Sequence, residues 1–426
     1  MDPATLVDYA ASLDCIHCGL CLQTCPTYQL TGVEASSPRG RIYMMRGVAE
    51  GRLDPGSGEY AEELDFCLVC RHCESACPAG VRFGEMMEHA RDSLGRARPR
   101  ATGERLARWL GFGYVLRSRF WMRVAFGALG MAQRTSLLRV LAPLFGARGE
   151  ALRFFPRVPP RRERRPMPAI TPAAGTARAR AALLEGCVMR ELYGRVNRAT
   201  ADSLAKLGVE SHCAPGHVCC GALHAHNGEL ERARELARTT ISAFEGLRDA
   251  GGALLPVVVN SAGCGAHMKG YERLLEDDPT WKERARDFSA RVRDYSEFCA
   301  EACPDGPLAL ERPRVGRVTF DDPCHLCHGQ QIRAQPRKLL DRVAGIERVE
   351  LEGSESCCGS AGIYSLLRPG DSARILAPKL EALEKSGADV LITANPGCQL
   401  QWETGLAKRG SSVRVLHIAE LLGDGA

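Results

Sequence analysis

The chain has 426 residues, 45% of them hydrophobic and 25% charged, with a formal net charge of +5 and 20 cysteines. That length holds two or three domains with a sizeable core, and no apolar run approaches the roughly 18 residues that a membrane span requires. The Met1-Asp2-Pro3 start offers neither a charged nor an apolar leader segment, so the cysteines are expected to be metal ligands in a reducing, cytoplasmic compartment rather than disulfide partners.

In chain order, residues 1–95 carry two cysteine runs of one spacing. Cys15-x-x-Cys18-x-x-Cys21-x-x-x-Cys25-Pro26 returns as Cys67-x-x-Cys70-x-x-Cys73-x-x-x-Cys77-Pro78. This is the ligand run of bacterial ferredoxins with two [4Fe-4S] clusters, in which the fourth cysteine of each run serves the other cluster. The pattern assigns Cys15, Cys18, Cys21 and Cys77 to one cluster and Cys67, Cys70, Cys73 and Cys25 to the other. Zinc sites use two separated Cys-x-x-Cys pairs and have no need of two complete four-cysteine runs. Two clusters of about −2 charge each would largely cancel the positive balance, so charge alone argues for no partner.

The spacing of Ile42, Met45 and Val48 predicts a short helix between the runs, and Met86, Ala90 and Leu94 predict a second after them. This part resembles the helical ferredoxin domain of respiratory iron-sulfur subunits. Arg39 and Arg41 either line a partner surface, hold the clusters' negative field or begin an ordinary solvated helix.

Residues 96–172 form a basic helical connector followed by a Pro/Arg linker. Arginines and aromatics alternate around Arg105–Leu110 and Arg117–Phe126. Such an amphipathic segment can lie on an anionic bilayer, on the rest of the chain or on a second subunit. No nucleic-acid-binding motif accompanies the arginines. From Phe155 to Pro172, prolines and arginines crowd together, which favours extended chain and marks a domain boundary.

Two repeated modules follow, at 173–298 and 312–426. The first holds Cys187, Cys219-Cys220-Gly221 and Cys264; the second holds Cys324, Cys357-Cys358-Gly359 and Cys398. The steps from first cysteine to Cys-Cys-Gly are 32 and 33 residues, and from there to the last cysteine 44 and 40. First and last cysteines follow short apolar, partly β-branched runs, with helical segments at Leu230–Leu247 and Ala373–Lys385 between. The expected fold is therefore multidomain: an α-helical ferredoxin-like domain, then two α/β modules with cysteines at the carboxyl ends of parallel strands, where open sheets place ligands. Four thiols per module imply one or two further sites, for an additional iron-sulfur cluster or zinc.

Nearly end to end, these motifs resemble the iron-sulfur subunits of bacterial glycolate oxidase, also called glycolate dehydrogenase. The shared stretches are Cys15–Tyr28, Pro38–Tyr43, Glu185–Cys187, Ser261–Gly265, Cys357–Gly362 and Thr393–Cys398. The resemblance implies an electron-transfer subunit with no complete active site of its own. FAD-containing flavoprotein partners would oxidise glycolate to glyoxylate, and this chain would pass the electrons toward a quinone-type acceptor, in the cytoplasm or peripherally on the inner face of the membrane. The absence of a Gly-x-Gly-x-x-Gly fingerprint agrees with that division of labour.

Subunits of glycerol-3-phosphate, lactate and heterodisulfide redox complexes share the architecture. In heterodisulfide reductase the modules end in Cys-x-x-Cys, and here Ser261 and Asn395 stand at the first of those cysteines. A separate alternative makes the second half a zinc-bound docking scaffold. Cys213, Cys327, Cys299 and Cys303 match no ligand pattern and read as small buried hydrophobes or spare thiols. His226 and His328 fall where the family tends to have histidine, as ligands or supporting donors, or as ordinary core or surface residues.

Overall fold

A computed structural model describes residues 9–98, 100–135, 140, 144, 146, 149, 154–216, 218–302 and 316–423. Cys303 lies outside them.

The described residues 9–98 are built from helices joined by loops, because polar caps and apolar spacing agree. Ser37 accepts the Gly40 amide at 2.9 Å and Pro38 occupies the first turn of the helix Pro38–Ala49, a position that needs no backbone donor. That helix buries Ile42, Met45 and Val48 as their spacing predicts. The helix Gly58–Phe66, capped by Ser57, adds Tyr60 and Leu64, and the helix Phe83–Ala97 adds Met86, Met87, Ala90 and Leu94. All pack into one core that includes Cys67 and Cys73.

The modules are built around two sheets. Strands β1 (Ile170–Thr171), β2 (Ala179–Leu183), β3 (Val209–Cys213), β4 (Val257–Val259) and β5 (Val292–Asp294) lie in the order β1-β3-β2-β4-β5, parallel except for β1. Strands β6 (Gly316–Phe320), β7 (Ile346–Val349), β8 (Val390–Thr393) and β9 (Arg414–His417) follow in the order β7-β6-β8-β9, all parallel. Without β1, the two sheets repeat one topology. Both faces of each sheet are covered. A single core runs between the modules, joining Leu183 and Val258 to Phe320 and Ile392, and separate cores form around Phe244 and Trp402 on the outer sides.

The Pro/Arg stretch contributes more than extended chain. It supplies the edge strand β1, and Arg164 is buried against Glu191 at 2.9 Å. Before it, the connector forms the helix Thr102–Arg108, a π turn at Trp109–Val115 and the helix Arg119–Arg134. Phe112 turns inward from the π turn and its carbonyl meets His224 Nε2 at 3.0 Å, which fastens the connector to the first module.

Candidate metal centres

The two ferredoxin-type runs share a backbone feature. Counting from the first cysteine, the second and fourth residues onward have positive φ in both loops: His17 (56°) and Gly19 (84°), then Val69 (53°) and Arg71 (64°). A β-branched residue there is an outlier, and such residues cost roughly 1–3 kcal/mol each unless the surroundings impose them. Two loops strained at the same places suit a common task, curling three thiols around one compact ion.

Cys15, Cys18 and Cys21 from the first run and Cys73 and Cys77 from the second line one open pocket, walled by Ile42, Val81 and Phe83. Cys18 is exposed at its mouth, between Ile16 and Leu20, which are 68% and 59% exposed. Arg39 also lines the cavity, donating to the His17 carbonyl at 3.0 Å and pairing with Glu34 at 2.7 Å.

The other four thiols are more enclosed. Cys25, Cys67, Cys70 and Cys73 are all buried, and the Cys73 thiol lies within electrostatic reach of Cys70, Cys67 and Cys25. Cys25 Sγ is 3.2 Å from Thr27 Oγ1, and Arg41 donates to Thr27 Oγ1 at 3.1 Å and to the Ser36 carbonyl at 2.7 Å. Arg41 is fully buried and paired with Glu63 at 3.2 Å. It therefore organises the loop around Cys25 and is neither a partner surface nor a solvated helix start. Burial pushes the thiols of Cys25 and Cys73 up and that of Cys21 to about 11. Such thiols stay protonated alone and give up protons to a bound cation.

In the modules, cysteines follow the carboxyl ends of three neighbouring strands: Cys187 after β2, Cys219 and Cys220 after β3, Cys264 after β4; Cys324 after β6, Cys357 and Cys358 after β7, Cys398 after β8. The thiols meet. Cys219 donates to Cys187 at 3.5 Å and Cys220 to Cys264 at 3.1 Å. Cys358 and Cys398 lie 3.4 Å apart, sulfur to sulfur, and Cys357 stands within electrostatic reach of Cys324 and Cys358. All these are contacts between free thiols, and every described cysteine is free. A site of four convergent thiols fits an iron-sulfur cluster or a zinc ion equally well by donor type.

The three parts meet at the cysteine loops. Cys70 packs against Cys357 of the second module in one buried cluster, and each thiol shifts the ionisation of the other. His325, beside Cys324, holds the Val69 carbonyl at 2.9 Å through Nε2. Ser261 and Asn395, at equivalent places in the two modules, face each other, with Ser261 Oγ 3.5 Å from Asn395 Oδ1, which also accepts the Gly263 amide at 3.2 Å. His328 is buried with both nitrogens engaged, Nδ1 with Ser75 Oγ and Nε2 with the Glu355 carbonyl, each at 2.9 Å, and its ring stacks on His72. His226 Nδ1 meets Glu88 Oε1 at 2.6 Å. Both histidines thus join the ferredoxin-like part to the modules.

Of the unmatched cysteines, Cys299 and Cys327 are buried and Cys213 half-buried at the end of β3. The sequence reading missed Lys379, whose ammonium is buried 2.6 Å from Asp321 Oδ1. The Cys357 and Cys398 thiols beside it, and behind them the Lys379 charge, hold the Cys358 thiol well below its ordinary value. A signal was present: Lys379 falls in step with Leu376, Leu380 and Leu383 on the apolar side of its helix.

Residues 11–81 match the 4Fe-4S dicluster domain, and residues 181–269 and 318–403 each match the cysteine-rich domain. The chain is 38% identical to a probable glycolate oxidase iron-sulfur subunit of Bacillus subtilis, over 99% of this chain and 95% of that protein. It is 34% identical to the glycolate oxidase iron-sulfur subunit of Escherichia coli, over 94% and 91% of the two chains. Lactate utilization protein A of an Exiguobacterium strain is 31% identical over 57% of this chain and 97% of its own.

Proposed function

This chain belongs to the family of glycolate oxidase iron-sulfur subunits, and from that premise we propose that it carries electrons from FAD-containing subunits that oxidise glycolate to a quinone-type acceptor. Iron-sulfur clusters supply one-electron acceptance and donation where they are bound. Cys15, Cys18, Cys21 and Cys77 would hold one [4Fe-4S] cluster, and Cys25, Cys67, Cys70 and Cys73 the other. Cys187, Cys219, Cys220 and Cys264, and Cys324, Cys357, Cys358 and Cys398, would hold metal in the modules.

The observation that carries this proposal is the continuity of the thiols. They begin at exposed Cys18, continue into the buried set around Cys73, and reach the second module through the contact of Cys70 with Cys357. Ile16 and Leu20 give the exposed end an apolar rim on which a flavoprotein subunit can dock. The buried polar seams hold the parts at fixed separation, as electron transfer requires.

The test is iron, zinc and sulfide analysis with low-temperature EPR on anaerobically purified protein, followed by glycolate-driven reduction of a quinone analogue in the reconstituted complex. About eight irons with coupled cubane signals support the ferredoxin-type half. Extra iron with sulfide makes the modules part of the electron path, whereas zinc without sulfide makes them a scaffold. Normal turnover by a complex containing Cys18→Ser would defeat the electron-transfer assignment.

A further inference from the structure

The helix Arg119–Arg134 is apolar on two opposite sides. Inward, Met122 and Gly130 are buried, Phe126 and Leu129 pack on the core shared by the modules, and Gln133 binds the Phe155 and Pro156 carbonyls and the Val158 amide. Outward, Phe120, Trp121, Val124 and Met131 are 64%, 47%, 46% and 66% exposed. With exposed Ala128, these five fall within about 100° of one another on a helix of 3.6 residues per turn. A helix apolar all round belongs in an interior, so the outward stripe needs a cover.

Charge identifies the cover. Between Glu104 and Glu150 the chain has eight arginines and neither aspartate nor glutamate. Arg108 and Arg117 reach back to Glu229 and Glu235 of the first module. Arg105, Arg123 and Arg134 are exposed and have no ion pair among the described residues. Exposed Trp109 and Tyr114 lie just before the helix and pack edge to face. Tryptophan and tyrosine favour the headgroup level of a bilayer, and arginines beside an apolar stripe can extend their charges to anionic headgroups.

We propose that the connector 102–134 is an interfacial anchor that seats this subunit on an anionic lipid surface. No described helix is long and apolar enough to cross a membrane; on the reading above that the acceptor is quinone-type, this stripe gives the chain a way to reach it from the side. The rim at Ile16 and Leu20 remains available to the flavoprotein subunits, which therefore need not cover this stripe.

The experiment is co-sedimentation of the full-length, cluster-containing protein with vesicles of phosphatidylcholine alone or mixed with phosphatidylglycerol, at low and high salt. The expected result is retention on the anionic vesicles only, weakened by salt. Phe120→Ser/Trp121→Ser/Val124→Ser should abolish it, and Arg105→Gln, Arg123→Gln and Arg134→Gln should each weaken it by about fivefold. Both sets should keep normal iron and sulfide and normal glycolate-driven reduction of a water-soluble dye, which separates failure here from failure of the electron-transfer proposal. Absence of binding to anionic vesicles, or binding unchanged in the triple variant, overturns the anchor. So does loss of the flavoprotein subunits from the triple variant with vesicle binding intact, which would make the stripe a protein interface.

Discussion

The thiols of Cys70, in the second ferredoxin-type run, and Cys357, in the second module, pack into one buried cluster with Phe66, Leu68 and Tyr364. Two residues 287 positions apart in the chain thereby bring two candidate metal centres into side-chain contact. Replacing Cys357 by serine should remove the metal signal of the second module, leave both cubane signals in place, and reduce electron delivery to the acceptor to near background. EPR of the dithionite-reduced protein, compared with turnover of the complex, checks this. Unchanged metal content with unchanged turnover would take Cys357 out of the ligand set.

The glycine of each Cys-Cys-Gly is set by backbone geometry. Gly221 and Gly359 both have φ of +84°, and an added Cβ would lie 3.2 Å from the Ala233 carbonyl oxygen in one and 2.6 Å from that of Ser372 in the other. A left-handed residue with a side chain costs roughly 1–2 kcal/mol, and overpacking adds about 1–3 kcal/mol more. Gly359→Ala should therefore lower the thermal midpoint more than Gly221→Ala. The same midpoint in both would show that the following helix yields to the methyl group.

Much of this architecture is legible in the sequence. The cysteine spacing, the repeat and the apolar periodicity around Ile42 and Met86 pointed to helical and α/β parts, because those signals are local and each has one good structural solution. What sequence could not give was pairing across distance. Arg41 reads as a helix-start arginine until Glu63 and Ser36 are seen around it. His226 and His328 are legible as candidate ligands or supporting donors, but nothing local says that Glu88 and Ser75 are the groups they meet. Ser261 and Asn395 were legible only as missing thiols, since nothing local says that they face each other.

Lys379 and Asp321 form a buried pair, with side chains only 3% and 1% exposed. The ammonium also donates to the Ser354 and Ser356 carbonyls, each at 2.7 Å, tying down the loop that leads to Cys357. Lys379→Met leaves Asp321 as an uncompensated buried acid and should destabilise the protein by about 3–5 kcal/mol. Lys379→Met/Asp321→Asn should recover most of that loss. Denaturant titration followed through Trp402, which is buried in the same core, measures both, and a double variant no more stable than the single would deny the pairing.

Glu88 links the ferredoxin-like part to the first module through His226 at 2.6 Å. Burial alone would push its carboxyl up. The hydrogen bond and charge of His226, with His267 and Arg71 behind it, outweigh burial and hold it at about 2, against an ordinary 4.5. A carboxyl depressed by folding contributes stability above its unfolded value and loses it as pH falls toward the folded one. The contribution is therefore present above about pH 4.5 and disappears between there and about pH 2. Glu88→Gln should destabilise the protein at pH 7, and the gap between variant and wild type should close as the two are compared at successively lower pH. Comparing them at matched pH cancels the acid loss of clusters common to both. A gap that stayed constant from pH 7 to pH 3 would mean that shape or hydrogen bonding, and not the ionised carboxylate, makes Glu88 matter at this seam.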